Sequence, residues 1–402
     1  MKKIVLSAAK WQNPADAHQA LKEALSFPEY YGMNLDALHD CLTGLTDTAL
    51  TVTGCAFPKK SMPDKWRVFE RVFRDAAEEN PGFTVELMDG EPERKQKTDY
   101  RGILLSRFQT RKTRAQKDAF IAFVKDEAKK LGWDCKTEEC ANLFKSRNIA
   151  VGDPEKAKVV FTAHYDTQPE CLFPNLVFPM SRPKTLLAQM PMILLMVGVS
   201  LGLGALLRAW TGANIAMPIV FLIVYFGLYA LVFFGPANRH TANDNTSGTA
   251  ALLTLMESLP TEQRGDAAFL FFDNEEQGKL GSKQYFKMHE AAMKDKLIVN
   301  YDCIGDGDHI LLLQPKEPLA GLEEKLRRAF PAREGMIPVF TDAKKAHKNS
   351  DQMSFPRGVG VAALHEGRFG LYLPRIHTRR DTVCEQRNLD YIVACSQNLL
   401  HE

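Results

Sequence analysis

Apolar residues fall in three different rhythms along this chain of 402 residues. The first ninety residues mix short apolar runs with helical spacing. Lys3–Ser7 is such a run, and Asn13-Pro14 offers an N-cap followed by proline at the first helical position of a helix reaching about Leu25. Asn34 caps a second helix, Leu35 to Leu42, which ends near Gly44. Leu50–Val52 reads as a strand. Asp64–Glu79 places Trp66, Phe69, Val72 and Phe73 on one helical face, and Phe83–Leu87 follows the Pro81-Gly82 stop. The order β-α-α-β-α-β predicts a small three-stranded parallel sheet covered by helices, with the Lys3–Ser7 strand buried.

The second rhythm starts at Tyr100. Val159–Ala163, Ala267–Phe272 and Leu297–Tyr301 are apolar throughout, which suits strands covered on both faces of a mostly parallel sheet. Between them lie amphipathic segments. Thr113–Leu131 carries Phe120, Ile121, Val124, Ala128 and Leu131 on one face and closes at Gly132. Further helices are predicted near Ser247–Leu259, Gly281–His289, Leu322–Phe330 and Leu389–Leu400. The fold class is α/β, with a mixed sheet flanked by helices. Residues 91–99, nearly free of apolar side chains, form the predicted linker.

The third rhythm is an absence of charge. Thr185 to Leu207 and Ala209 to Asn238 contain no charged residue, and Arg208 alone separates them in what reads as a short turn. About 20 apolar residues cross a bilayer, so Met192–Leu207 and Ile215–Phe234 predict a transmembrane helical hairpin. Gly198 and Gly202 form a G-x-x-x-G face that lets helices approach closely. Arg182, Lys184 and Arg239 flank the outer ends, which places both ends in the cytoplasm.

Composition narrows the class further. The chain is 45% hydrophobic and 25% charged, as a globular protein is, and this excludes disorder and collagen-like repeats. Its 51 Lys and Arg nearly balance 49 Asp and Glu, so charge gives no case for nucleic-acid binding. The start is basic, but its apolar run is too short for a signal peptide. Eight scattered cysteines without a C-x-x-C pair read as reduced thiols in a cytoplasmic setting.

Polar residues concentrate where the apolar strands stop. The first runs into His164-Tyr-Asp166, the second into Asp273-Asn-Glu275-Glu276, and the third into Asp302. Asn243-Asp244-Asn245 opens a helix, and His377 and Asp381 follow near the C-terminus. Open α/β sheets bind ligands beyond the carboxyl ends of their strands, so these side chains can converge. Two histidines with several carboxylates suit zinc and tolerate cobalt or manganese.

With these residues in view, residues 100–402, less the hydrophobic insert, resemble the M28 peptidase family of co-catalytic zinc aminopeptidases. Ser350-Asp351 with Phe355 also resembles that family's pattern. The resemblance implies two zinc ions: His164 and Asp302 on one, Glu276 and His377 on the other, and Asp244 bridging. It implies Glu275 as general base, taking a proton from the attacking water and returning it to the leaving amine, and Asp166 orienting His164. Tyr165 and Tyr372 are the candidate oxyanion partners.

The segment Pro28-Glu-Tyr30-Tyr31-Gly32 through Asp36, His39, Asp40 and Gly44 resembles barstar, an intracellular ribonuclease inhibitor. The resemblance implies ribonuclease contacts at Tyr30, Asp36, Asp40 and Asp75. Asp36 and Asp40, four apart on one helix, share a face. Residues 1–90 hold 10 basic and 13 acidic residues, net −3, the sign a basic partner requires. His39 and Met33 depart from the family pattern.

The expected organisation is a barstar-like domain at 1–90, the linker at 91–99, a peptidase domain at 100–182 and 239–402, and a hairpin insert at 183–238. The expected activity is that of a two-zinc aminopeptidase acting on peptides. Residues 185–236 would hold it in the cell membrane as a two-pass protein, with both soluble domains facing the cytoplasm. The alternatives are a ribonuclease inhibitor or immunity protein with the zinc domain as scaffold, and a glutaminyl-cyclase-like activity.

Overall fold

The computed structural model describes residues 2–90, 98–142, 144–171, 173–315, 317 and 319–402. It divides into two compact units, Met1–Lys97 and Thr98–Glu402. Most of the predicted linker, residues 91–97, lies outside the described residues. Thr98 and Asp99 are part of the second unit: Thr98 bonds Glu257, and Asp99 caps the Tyr100–Arg107 helix.

In the first unit β1 (Lys2–Ser7), β2 (Thr48–Thr53) and β3 (Phe83–Leu87) form a parallel sheet in the order β1-β2-β3. The Pro14–Ala24 helix is capped by Asn13, and the Leu35–Thr43 helix by the Asn34 side chain accepting from the Ala37 amide. One helix, Ala56–Ser61, was not expected; it precedes Pro63–Glu79. The sequence also predicts a buried first strand, and that expectation fails. In a three-stranded sheet only β2 is central, so β1 is an edge strand with alternating exposure, and its Val5 is 65% exposed. Trp66, Phe69 and Phe73 pack with Trp11, Leu21, Leu38 and Val52 as the core of this unit.

The second unit is built on a mixed sheet. Its described strands are β4 (Cys135–Glu139), β5 (Arg147–Val151), β6 (Val159–His164), β7 (Ala267–Phe272), β8 (Leu297–Tyr301), β9 (His309–Gln314), β10 (Ile337–Asp342), β11 (Gly358–Gly367) and β12 (Gly370–Tyr372). Their order is β10-β9-β11-β8-β6-β7-β5-β4, with β12 on β11. The centre, β11-β8-β6-β7, is parallel, whereas β5 and β4 run antiparallel on one flank and β9 pairs antiparallel with β11 on the other. The continuous apolar runs make β6 and β7, which are buried at every position. Phe161 stacks between Phe269 and Tyr301, and burying one such ring is worth about 1.5–3 kcal/mol. Register brings the strand ends together: His164 pairs with Phe272 and Thr162 with Asn300. His164, Asp273 and Asp302 therefore emerge at one edge.

The apolar insert forms two helices, Arg182–Thr211 and Ala216–Phe234. At 1.5 Å per residue they are about 45 Å and 28 Å long, enough to cross a hydrocarbon core. The second has no buried residue, so this is not the hidden hairpin of a soluble core. Two details differ from expectation. The first helix continues through Arg208, so the turn falls at Gly212, whose φ of +70° suits glycine. The close approach to the second helix is made by Met196, Ser200 and Gly204, where a Cβ on Gly204 would stand 2.8 Å from the Met217 carbonyl. Gly198 and Gly202 face outward and meet nothing.

Candidate metal centre

Three strand ends and two loops build the site. His164 closes β6. Its Nε2 lies 3.2 Å from Asp244 Oδ1 and 4.0 Å from Asp302 Oδ1. His377 Nε2 lies 3.0 Å from Asp244 Oδ2 and 4.0 Å from Glu276 Oε2. Asp244 thus turns one carboxylate oxygen to each histidine. Three overlapping groups have the spacing to hold a cation: His164 with Asp244 and Asp302, Asp244 with Glu276 and His377, and His164 with Glu275 and Glu276. All seven residues predicted for this site lie in or against it. Asp244 Oδ1 is buried without a good hydrogen bond, which fits a cation as the missing partner, whereas His164 Nδ1, also unbonded, faces Asp166.

Asp166 has a wider role than orienting a histidine. Its Oδ1 stands 3.5 Å from His164 Nδ1, longer than a good hydrogen bond, while its carboxylate accepts the Glu275 and Glu276 amides at 2.9 and 3.2 Å. Asp166 therefore ties the end of β6 to the turn after β7. On the far side of that turn Lys117 Nζ, itself buried, bonds Asp273 Oδ1 and Asn274 Oδ1. The Asn243–Asp244 loop is held by Asp381, which accepts both of their amides at 2.7 and 3.0 Å. Gly248, opening the next helix, has no room for a side chain: a Cβ would stand 2.5 Å from the Tyr301 carbonyl.

Several of these groups sit in left-handed backbone: Asn274 (φ +55°), Cys303 (+62°), Arg375 (+65°) and His377 (+65°). For residues with a Cβ such conformations are costly and gather where a fold must aim side chains. Arg375 repays part of that cost through Asp306, which also accepts from His365 Nε2.

Burial and crowded carboxylates set the electrostatics. Burial pushes the Glu275 carboxyl up to about 8, against the pull of His164 and with Asp351, Asp302 and Asp166 adding to it. Asp351, whose two oxygens are buried, is pushed up to about 7 by burial, against the pull of His164 and with Asp166 and Asp302 adding to it. Asp244 moves the other way. Despite burial, the His164 and His377 rings against its two oxygens hold it well below the usual carboxylate range. More negative charge converges here than the neighbouring cations match.

The sequence reading missed Lys348, Lys117, Gln168 and Arg111. Lys348 Nζ lies 2.6 Å from Asp302 Oδ2. Gln168, with its amide turned to donate, reaches Glu276 Oε2 at 3.1 Å. Arg111 is wholly buried; it bonds the Phe108 and Tyr165 carbonyls and Thr246. None lies in a strand-end motif, and Arg111 and Lys117 sit before the peptidase-like strands in sequence. Tyr165, a candidate oxyanion partner, is a packing residue: it stacks on Phe120 and donates to the Arg147 carbonyl. Tyr372 packs against Phe178 and His365.

In the first unit Tyr30 is 88% exposed, and Asp36, Asp40 and Asp75 are exposed as well. Asp36 and Asp40 lie one turn apart on the Leu35–Thr43 helix. That helix packs on Pro63–Glu79, which carries Asp75, and His39 reaches Glu79 at 3.6 Å.

Residues 227–401 match the family model described as Peptidase family M28, and residues 1–92 match Barstar (barnase inhibitor). Both resemblances drawn from the sequence are shown. The M28 match includes Asp244, Glu275, Glu276, Asp302 and His377 and begins after His164 and Asp166. It supports a hydrolase. Over 52 residues, 13% of this chain, the sequence is 50% identical to the Bacillus subtilis (strain 168) protein named "Putative ribonuclease inhibitor YrdF"; the match spans 57% of that relative's length. Among solved structures the chain is similar to a Porphyromonas gingivalis glutaminyl cyclase (16% identity, TM-score 0.49, covering 75% of this chain and 95% of that one). It is also similar to a leucine aminopeptidase precursor from Bacteroides thetaiotaomicron (13%, 0.46, 75% and 94%) and a Zn-dependent exopeptidase from Parabacteroides distasonis (15%, 0.45, 75% and 94%).

Proposed function

We propose that the second unit is a zinc-dependent aminopeptidase that removes N-terminal residues from peptides. The observation that carries this reading is Asp244, with one oxygen turned to His164 and the other to His377. Glu276 and His377 would hold one zinc ion, His164 and Asp302 would hold a second, and Asp244 would be shared. Zinc bound there supplies Lewis acidity to a scissile carbonyl and acidity to water. Glu275 accepts the proton of the attacking water and returns it to the leaving amine. Asp166 fixes the Glu275-Glu276 turn through both amides, so the base and its neighbour keep their separate directions. Asp381 does the same for Asp244.

The two exposed apolar helices support anchoring in a lipid bilayer, with both soluble units on the cytoplasmic side. The hairpin leaves the chain between Asp166 and Asp244, which suits peptides that are hydrophobic or released from membranes. The exposed Tyr30, Asp36, Asp40 and Asp75 support a basic ribonuclease as the partner of the first unit.

The test is release of N-terminal residues from a mixed peptide panel by the zinc-loaded, detergent-purified chain beside Glu275→Gln. Release by the parent but not the variant supports the peptidase. Cyclisation of N-terminal glutamine without release favours a glutaminyl-cyclase-like activity. If neither occurs and the chain inhibits a basic ribonuclease, the second unit is a scaffold.

A further inference from the structure

The two cation positions that share Asp244 differ in how far the chain already satisfies them. Asp302, which belongs to one of them, has a donor on each oxygen. Lys348 Nζ lies 2.6 Å from Oδ2 and the Cys303 thiol donates to Oδ1 at 3.0 Å. The Lys348 and Asp302 side chains are only 11% and 7% exposed. Lys348 is also tethered, because its carbonyl accepts from Gln352 Nε2 at 2.8 Å. The Gln352 oxygen in turn accepts from Asn300 on β8, two residues before Asp302. The ammonium and the carboxylate are therefore fixed in one network. Glu276 and His377, which complete the other position, have no lysine or arginine within ion-pair distance among the described residues.

We propose that Lys348 makes the two positions unequal: the Asp244–Glu276–His377 position retains one zinc ion, and the His164–Asp244–Asp302 position holds a second only weakly. This rests on the metallohydrolase reading above. A second zinc ion would share Asp302 with a buried ammonium, and like charges repel strongly where water is excluded. The lysine side chain is enclosed, only 11% exposed, so its ammonium stays in a low-dielectric setting beside Asp302. Lys348 thus supplies at Asp302 part of the positive charge that a second metal would bring.

The test is metal binding by the full-length chain in detergent, stripped with a chelator and titrated with zinc by calorimetry. Elemental analysis after dialysis counts the retained ions. A parallel cobalt titration followed by absorption and by electron paramagnetic resonance reports whether neighbouring ions couple. The parent chain is expected to retain one ion, to bind the second in a separate weaker phase, and to show coupled cobalt only at excess metal. Lys348→Met is expected to tighten the second phase by about 10–100-fold and to retain two ions. Two equally tight ions in the parent chain overturn the proposal and leave the hydrolase reading standing. So does a Lys348→Met chain whose second phase is unchanged. The parent titration decides even if Lys348→Met fails to fold. If the parent binds no zinc at all, both this proposal and the metallohydrolase reading fall.

Discussion

Acidic residues do opposite work in the two units. Around Asp244 they are buried, aimed by loops from distant parts of the chain, and held by amides and ammonium groups of the protein itself. On the Leu35–Thr43 helix Asp36 and Asp40 are exposed, and a single local element sets their spacing. A buried carboxylate without a matching charge is costly, so it persists where surrounding structure over-determines it. An exposed one costs almost nothing and matters only to what docks on it. Removing acids from the two regions should therefore separate two kinds of loss.

The largest effect is expected at Glu275. Glu275→Gln keeps the shape and removes the proton acceptor, so peptide turnover should fall by about 10²–10⁴-fold while zinc content is unchanged. Retained turnover, measured at saturating zinc, would show that Glu275 is not the base. Next comes Asp381→Ala, which leaves the Asn243 and Asp244 amides buried without an acceptor. Its unfolding free energy should drop by about 1–3 kcal/mol for each amide, and zinc affinity should fall with it. A variant of full stability in denaturant titration would mean that the loop is held by other contacts. The hairpin gives an intermediate case. A chain with residues 185–236 replaced by a short polar turn should leave the membrane pellet for the soluble fraction and keep its turnover of short polar peptides. If it stays in the pellet after alkaline extraction, the helices are not the anchor.

How much of this was legible in the sequence follows from how far each feature depends on neighbours in the chain. The strands β6, β7 and β8 were legible because burial on both faces demands unbroken apolar runs, and their ends named His164, Glu275, Glu276 and Asp302. The caps Asn13 and Asn34 were legible because a cap acts within three residues of itself. Lys348 was not, because it sits in a loop, its partner Asp302 is 46 residues away in sequence, and the neighbouring Ser350-Asp351 motif does not point to a lysine. Nor were the left-handed conformations at Cys303 and His377, which tertiary packing imposes on residues that do not favour them. The exposure of β1 depended on strand order, which periodicity does not contain. In the hairpin, composition identified two long apolar helices but named the wrong glycine face. The Gly198 and Gly202 pair is as good a small-residue motif as Ser200 and Gly204, and only the rotation of the packed helices separates them.

The smallest expected effect on the fold is also the sharpest test of the contrast. Asp36→Ala with Asp40→Ala removes two exposed charges from a helix whose cap, Asn34, and buried residues, Leu38 and Leu42, stay in place. Stability should change by no more than about 0.5 kcal/mol, since neither side chain is buried. Turnover by the peptidase unit should be unchanged. If the first unit binds a basic ribonuclease, however, the same pair should slow association and weaken its salt dependence, because exposed charges act mainly by steering encounter. The measurement is inhibition of a barnase-type ribonuclease at low and moderate salt, by parent and variant. Inhibition by the parent that survives the double substitution would place the contact elsewhere on the unit. Absence of inhibition in both would remove the ribonuclease partner while leaving the metal centre untouched, because no acidic residue is common to the two regions.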